Sequence, residues 1–173
     1  MINKASSWVK FCLSKILITN KIVTALDLAC GYGRNTVFLA DIGCKVTAVD
    51  LDLNCLTSFG GKNILKIQTD LEKVSGWPLK RNFFDLIVVN NFLCRHIFKE
   101  IEVSLKKNGY LIYETFAEGQ EKFGKPKNKD FLLKKDELLF LTKDLKLIFY
   151  EEVKVISDET KFIKNRILCQ NVR

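Results

Sequence analysis

Six cysteines, at positions 12, 30, 44, 55, 94 and 169, form no C-x-x-C pair, which excludes a disulfide framework or a thiolate zinc site. Several sit inside apolar segments, as buried reduced thiols do. No apolar run approaches the roughly 20 residues needed to span a bilayer. The N-terminal apolar stretch is broken by Lys10 and Lys15 and precedes no small-residue cleavage pattern, so a soluble, cytoplasmic protein is expected. There is no internal repeat and no low-complexity linker. With 173 residues, 47% hydrophobic and 28% charged, the chain is expected to form one domain. Arginine is scarce, 5 against 23 lysines, although the net charge is +8. Sequence-specific nucleic-acid readers lean on arginine for bidentate contacts, so the excess reads first as a solvated lysine-rich surface. Its distribution agrees. Residues 25–120 carry eleven bases and eleven acids, and the excess lies at the two ends of the chain.

The most informative stretch runs from Thr24 to Asp50: an apolar strand, then Asp27-Leu28-Ala29-Cys30-Gly31-Tyr32-Gly33-Arg34-Asn35, a helical run, and a second strand closing on Asp50. A glycine-bearing turn between strand and helix lets a ligand lie on bare backbone. An acid at the tip of the next strand can grip ribose hydroxyls. A dinucleotide fingerprint wants a third glycine, and Thr36 stands there instead. A carboxylate at Asp27 would repel a pyrophosphate and attract an ammonium or sulfonium group. A cationic nucleoside cofactor fits better than a nicotinamide one, and S-adenosylmethionine is such a cofactor.

Periodicity gives alternating elements. Ser6 to Leu17 has helical spacing of Trp8, Val9, Cys12, Leu13, Ile16 and Leu17. Strands are expected at Thr24–Ala29, Lys45–Asp50, Asn63–Thr69, Phe84–Asn90 and Tyr110–Phe116. Helices are expected at Arg34–Asp41, from an Asp52 N-cap to Phe59, and at His96–Lys107, the last stopped by Asn108-Gly109. Ser75-Gly76-Trp77-Pro78 leaves no room for a full helix before the fourth strand, so the sheet is less covered there. A polar loop, a short helix at Lys135–Leu141, and strands at Leu145–Ile156 and Lys161–Asn171 complete the chain. The expected fold is α/β: a doubly wound, Rossmann-like, seven-stranded and mostly parallel sheet with an antiparallel C-terminal edge hairpin. In such sheets ligands bind beyond the carboxyl ends of the strands, and Asp27, Asp50, Asp70, Asn90 and Glu114 fall near those ends.

On these motifs the chain resembles class I S-adenosylmethionine-dependent methyltransferases over nearly its whole length. The family pattern D-x-G-x-G-x-G is met at Asp27, Gly31 and Gly33, with Ala29 in place of the first glycine. DLACGYGRN is most similar to the branch of small methyltransferases related to tellurite-resistance proteins. TDLEKVSGWPL, GYLIYETFAEG and FGKPKNKDFLLKKDELL resemble a bacterial subgroup of that branch. The resemblance implies a cofactor site of Asp27, Ala29, Cys30, Gly31, Gly33, Arg34, Asn35, Asp50, Leu51, Asp70, Leu71 and Asn90. Gly31 to Gly33 would pass the methionine half, Asp50 would hold the ribose, and Asp70 with the Leu71 amide would meet the adenine. Residues 1–23 form an opening helix, 24–116 the cofactor core, 117–144 a possible substrate lid and 145–173 the hairpin.

Methyl transfer needs little machinery, because the sulfonium is already an activated electrophile and alignment supplies much of the rate. A base matters where the acceptor arrives protonated. Rim candidates are Asn90, Asn91, Arg95, His96, Tyr113 and Glu114. Glu114 leads the catalytic set of Glu114, Tyr113 and His96, since an acid ending an apolar strand needs a role or a partner, Arg95 or a lysine. His96, the one histidine, is as readily incidental. No metal site is expected. The [DN]-P-P-[YF] signature of amino-methylating enzymes is replaced by Asn90-Asn91-Phe92-Leu93, and Cys94 follows Leu93 rather than a proline, so it reads as packing. A small-molecule acceptor is expected, an anionic one if Lys122, Lys125, Lys127 and Lys129 face it. A protein that binds the cofactor without turnover, a methyltransferase acting on RNA or protein, and a nicotinamide-dependent reductase are the other readings; Thr36 and Asp27 disfavour the reductase.

Overall fold

The computed structural model describes residues 4–16, 22–73, 77–157 and 159–173. Its elements in chain order are α1 (Ser7–Ile16), β1 (Thr24–Leu28), α2 (Arg34–Asp41), β2 (Lys45–Asp50), α3 (Leu53–Thr57) and β3 (Ile64–Gln68). Then follow β4 (Phe84–Asn90), α4 (Phe98–Ser104), β5 (Leu105–Phe116), α5 (Glu137–Leu141), β6 (Lys146–Ile156) and β7 (Lys161–Gln170). The strands make one sheet of order β3-β2-β1-β4-β5-β7-β6, parallel from β3 to β5 and antiparallel in β7 and β6. This is the Rossmann-like sheet with an edge hairpin that the alternation predicts.

Strands buried on both faces carry the core. Leu86, Ile87, Val88 and Val89 of β4 are all fully buried, the mark of a parallel strand between two helical layers. On one face Trp8, Val9, Cys12 and Leu13 of α1 and Leu39 of α2 pack over Ala25, Leu86, Val88, Ile112 and Leu168. On the other, Phe98 and Ile101 of α4 and Leu138 of α5 cover Leu26, Ile87, Leu111, Tyr113 and Ile167. Asp52 caps α3 by accepting from the Asn54 amide at 2.8 Å. Leu17, expected to close the first helix, and residues 74–76 of the punctuated crossover lie outside the described residues. No helix covers the described part of that crossover. A hollow of about 550 Å³ remains there at the amino ends of the strands, lined by Val46, Ile64, Leu65 and Phe83. It holds no acid and lies at the end of the sheet opposite to the strand tips where such folds bind ligands.

One expected boundary is corrected. The helix read as His96–Lys107 is a 3₁₀ turn at Arg95–Ile97 followed by α4, which ends at Ser104. Its closing carbonyls are taken by a crossing segment: the Asn82 and Phe83 amides donate to Val103 and Ser104 oxygens at 2.8 and 3.0 Å. The chain turns extended at Leu105, pairs with Phe84, bulges, and resumes the ladder at Tyr110 against Leu86. Asn108-Gly109 therefore shapes a bulge inside β5 rather than a helix stop, with Asn108 in the left-handed region at φ 64°. The chain's end pins the bulge: Asn171 accepts from the Asn108 amide at 2.6 Å and donates to Gly109 oxygen at 2.8 Å.

Gly109 is needed here for close approach. A Cβ on it would lie 2.9 Å from both the Phe84 and Lys106 carbonyl oxygens. Gly109→Ala is expected to destabilise the fold by about 1–3 kcal/mol, the usual range for overpacking against rigid neighbours. Urea unfolding followed by tryptophan fluorescence measures it; an unchanged midpoint would show that the bulge relaxes freely.

Candidate active site

The turn after β1 is built from alternating left-handed residues, Ala29 at φ 51°, Gly31 at 53° and Gly33 at 72°. This winding aims successive backbone groups at one crevice. At Gly31 a Cβ would meet nothing within 4 Å, so the main chain there fronts open space. At Gly33 the ring of Phe59 would be 2.4 Å from a Cβ, which reserves that position for glycine. Ala29 adopts the same conformation with a side chain, a strain that an L-residue bears at about 1–2 kcal/mol.

Two acids hold this turn. Asp27, 1% exposed, accepts from the Thr36 hydroxyl at 2.6 Å, tying β1 to the first turn of α2. Burial pushes its carboxyl up to about 7, against the opposing pull of its Thr36 hydrogen bonds. Asp50, at the tip of β2, accepts from the Gly31 amide at 2.7 Å and from the Asp52 amide at 3.0 Å. Lone pairs remain on its carboxylate for two vicinal hydroxyls. A cavity of about 390 Å³ opens at this turn, where Asp27, Ala29, Cys30, Gly31, Tyr32, Arg34, Asn35, Asn90 and Asn91 converge. Burial raises the Cys30 thiol above its usual range, so it is no nucleophile. Of the expected cofactor residues, Gly33, Asp50, Leu51, Asp70 and Leu71 stand outside this lining, Asp50 reaching it through its bond to the Gly31 amide. The Thr69 amide donates to Asp50 oxygen at 3.0 Å, so the Asp70-Leu71 turn follows beside the crevice. Asp70 itself is engaged by the Glu72 amide at 2.9 Å and by Lys73 at 3.5 Å.

Beyond Arg34 the rim continues as a ladder in register: Asn90 opposite Glu114, Glu114 opposite Arg166, Arg166 opposite Glu151. The Arg34 guanidinium donates to Asn90 Oδ1, and Asn90 Nδ2 donates to Glu114 Oε1 at 2.8 Å. Glu114 is paired, but not with Arg95. Lys164 Nζ lies 3.2 Å from its Oε1 and Arg166 3.6 Å from its Oε2. Burial pulls the Lys164 ammonium below its ordinary range, with Glu114 acting against that shift. Lys164 also donates to Asn91 Oδ1 at 2.6 Å. Tyr113 points the other way into the core, its hydroxyl donating to Phe92 oxygen at 2.8 Å and its phenol pushed up by burial. His96 is exposed beside the buried Cys94, outside the cavity lining. Arg95 grips Glu137 at 2.7 and 3.0 Å and donates to the Asp130 and Leu132 oxygens. With Gln120, which joins Lys125 oxygen to the Ile163 amide, it fixes residues 118–133 as an arch beside the rim. Sequence reasoning missed Tyr32, Lys164, Arg166 and Gln120. Lys164 and Arg166 carried a signal, two cations spaced by two on the strand that pairs with the one containing Glu114. Among the described residues no cluster of metal-ligating side chains occurs.

Because Asp27 titrates far above an ordinary carboxyl, the free protein is most stable when this group is protonated in both states. Stability is lost as pH rises from about 4, where the unfolded chain ionises, through about 7, by up to an order of 4 kcal/mol. Asp27→Asn, which still accepts from Thr36, is expected to flatten that slope in urea titrations across the interval; an unchanged slope would show that Asp27 is already ionised below it. Ala29→Gly is expected to stabilise the fold by about 1 kcal/mol by relieving the left-handed alanine, read as a raised midpoint in the same assay.

The crevice fits an adenosyl sulfonium: bare main chain at Gly31, a ribose-competent carboxylate at Asp50, and a buried acid on its wall. A family model described as "Methyltransferase domain" matches residues 26–113, about half of the chain. Ribosomal protein L11 methyltransferase of Campylobacter concisus is 28% identical over 144 residues, 81% of this chain and 46% of that protein. The chain thus spans about half the length of this curated relative. Among solved structures, TehB from Haemophilus influenzae superposes with TM-score 0.73 at 21% identity, over 94% of this chain and 62% of that one. The N-methyltransferase NodS from Bradyrhizobium japonicum, in complex with S-adenosylhomocysteine, superposes with TM-score 0.71 at 18% identity, over 96% of this chain and 84% of that one. The chain belongs to the S-adenosylmethionine-dependent methyltransferase family and has the class I fold.

Proposed function

We propose that this chain transfers a methyl group from S-adenosylmethionine to a small-molecule acceptor. The observation that carries it is the continuity of the rim, where the crevice at the Asp27 turn shares Asn90 with the hydrogen-bonded ladder to Glu114. When bound, S-adenosylmethionine supplies a methyl carbon on a cationic sulfur, which keeps the bonding electron pair as the acceptor's lone pair forms the new bond. The protein's part is placement. Asp50 and the Gly31 amide fix the nucleoside end, and Asp27, raised to about 7 by burial in the free protein, is drawn toward its ionised form by a cationic end beside it. Asn90, held at its carbonyl by Arg34 and at its amide by Glu114, is a rigid wall between cofactor and acceptor.

Glu114 acts first as a positioning residue for Asn90 and Lys164. Where the acceptor arrives protonated, Glu114 Oε2, 3.6 Å from Arg166, is the base assigned in this reading. Tyr113, whose hydroxyl donates to the Phe92 oxygen, and the exposed His96 are not assigned that role. The arch of residues 118–133, clamped by Arg95 and Gln120, acts as a built roof over the acceptor side. The hollow of about 590 Å³ beside it supports a small acceptor. The name of the Campylobacter relative supports a protein acceptor instead, and the salt dependence of any macromolecular binding separates the two.

Calorimetric titration is expected to show binding of S-adenosylmethionine and S-adenosylhomocysteine and none of NADH. Asp50→Ala is expected to weaken S-adenosylhomocysteine by about ten- to hundredfold, the worth of charge-assisted hydrogen bonds in a sheltered site. Tight NADH binding without either adenosyl ligand would overturn the assignment. Cofactor binding with no S-adenosylhomocysteine formed across an acceptor panel would favour a binding protein without turnover.

A further inference from the structure

A second cavity, of about 590 Å³, adjoins the first and shares Asn91 with it. Three aromatic rings wall it, Phe92, Phe116 and Phe131, and Lys125-Pro126-Lys127 of the arch form its edge. Its lining contains no acid. The four lysines of the arch are not equivalent. The fields of Lys122 and Lys129 bear on the Glu121 carboxylate. Lys125 and Lys127 line the chamber, and among the described residues neither has a carboxylate within ion-pair distance. Lys127 is oriented by donating to Glu121 oxygen at 2.8 Å. On the opposite side Lys164, held on Asn91, stands 4.8 Å over the Phe116 ring. The roof is preformed, because Gln120 is buried and bonded at both ends and Arg95 holds the far limb.

We propose that this chamber is the acceptor site and that its occupant is an amphipathic organic anion, with an aromatic or aliphatic body and one anionic group set between Lys125 and Lys127. An apolar body is what three rings recognise, and an anion is what two unneutralised ammonium groups recognise in a mouth without acids. Asn91 stands at the junction, so a nucleophile at the inner end of the occupant faces the cofactor crevice. The chamber as a binding site stands on its own lining; its role as acceptor site rests on the methyltransferase reading.

The test uses the full chain and two fluorescent probes of one shape, anilinonaphthalene sulfonate, which is anionic, and phenylnaphthylamine, which is neutral. The sulfonate is expected to saturate one site with S-adenosylhomocysteine already bound, and each ligand is expected to move the Asn91 side-chain amide signals in two-dimensional NMR. A Lys125→Gln, Lys127→Gln double variant is expected to weaken the sulfonate about tenfold and leave the neutral probe unchanged. Phe131→Glu, at an exposed position, is expected to lose both while keeping the wild-type unfolding midpoint in urea. Equal sulfonate affinity in the lysine variant, unaltered binding in Phe131→Glu, or displacement of S-adenosylhomocysteine by the sulfonate would each overturn the proposal. Failure of S-adenosylhomocysteine to bind, with the probe results intact, would overturn only the acceptor role.

Discussion

The rim depends on a buried acid. Asp27 sits within β1 under the first turn of α2, where its carboxyl is stripped of water and compensated only by Thr36 and the nearby Arg34. An apolar residue there would pack more stably, since an incompletely compensated carboxyl costs several kcal/mol to bury as a charge. What the acid contributes is geometry and sign. Its bond to Thr36 clamps one end of the left-handed turn, the Asp50 bond to Gly31 clamps the middle, and the Phe59 ring closes the space at Gly33. The turn is thereby a fixed cradle between two carboxyl groups, suited to a cation and hostile to a pyrophosphate.

Across the sheet the sign of the field reverses. Asn90 is neutral and bonded on both sides, so it separates the acids of the cofactor crevice from a zone where Lys164, Arg166, Lys125 and Lys127 outnumber Glu114 and Glu151. This reversal suits the proposed pairing of a cationic donor with an anionic acceptor on opposite sides of one amide. The strand part of this pattern follows from register, because Asn90, Glu114, Arg166 and Glu151 are consecutive rungs of four adjacent strands, and the arch adds Lys125 and Lys127.

The strand tips were legible in the sequence because apolar runs such as Phe84–Asn90 end on polar residues, and β2, β4 and α2 carry the expected bounds. The bulge in β5 was not, since Asn108-Gly109 serves equally to stop a helix or to bend a strand, and only the partner Phe84 distinguishes them. Thr36 was read as a missing glycine; its role as partner to Asp27 spans the whole cradle and leaves no local pattern. Glu114 posed a partner question that its own neighbourhood could not answer, because Lys164 and Arg166 arrive from fifty residues on, through the hairpin. The opposition of Tyr113 and Glu114 was readable: successive residues of a strand face opposite sides of the sheet, so the two cannot both line the rim.

The limits of family resemblance follow from the same geometry. The matched segment, residues 26–113, contains Asp27, the cradle, Asp50 and Asn90, and it ends one residue short of Glu114. The proposed acceptor chamber takes Asn91, Phe92 and Leu93 from it and the rest of its lining from beyond it. The arch after β5 brings Lys125 and Lys127, β7 brings Lys164 and Arg166, and Trp8 of α1 lies under the Arg166 guanidinium at 4.7 Å. The Ser6 amide adds a buried bond to Asn35 Oδ1 at 2.9 Å, fastening the start of the chain to the cofactor loop. The lysines of α1 spread over aromatic faces, Lys10 on Phe38 and Lys15 on Phe11, rather than forming one basic stripe. The opening helix is therefore better read as a buttress that holds Arg166 against Glu114 than as an electrostatic footprint. Cofactor and fold are shared with the family, whereas most of the proposed acceptor chamber is built from residues beyond 113, where the family model does not reach.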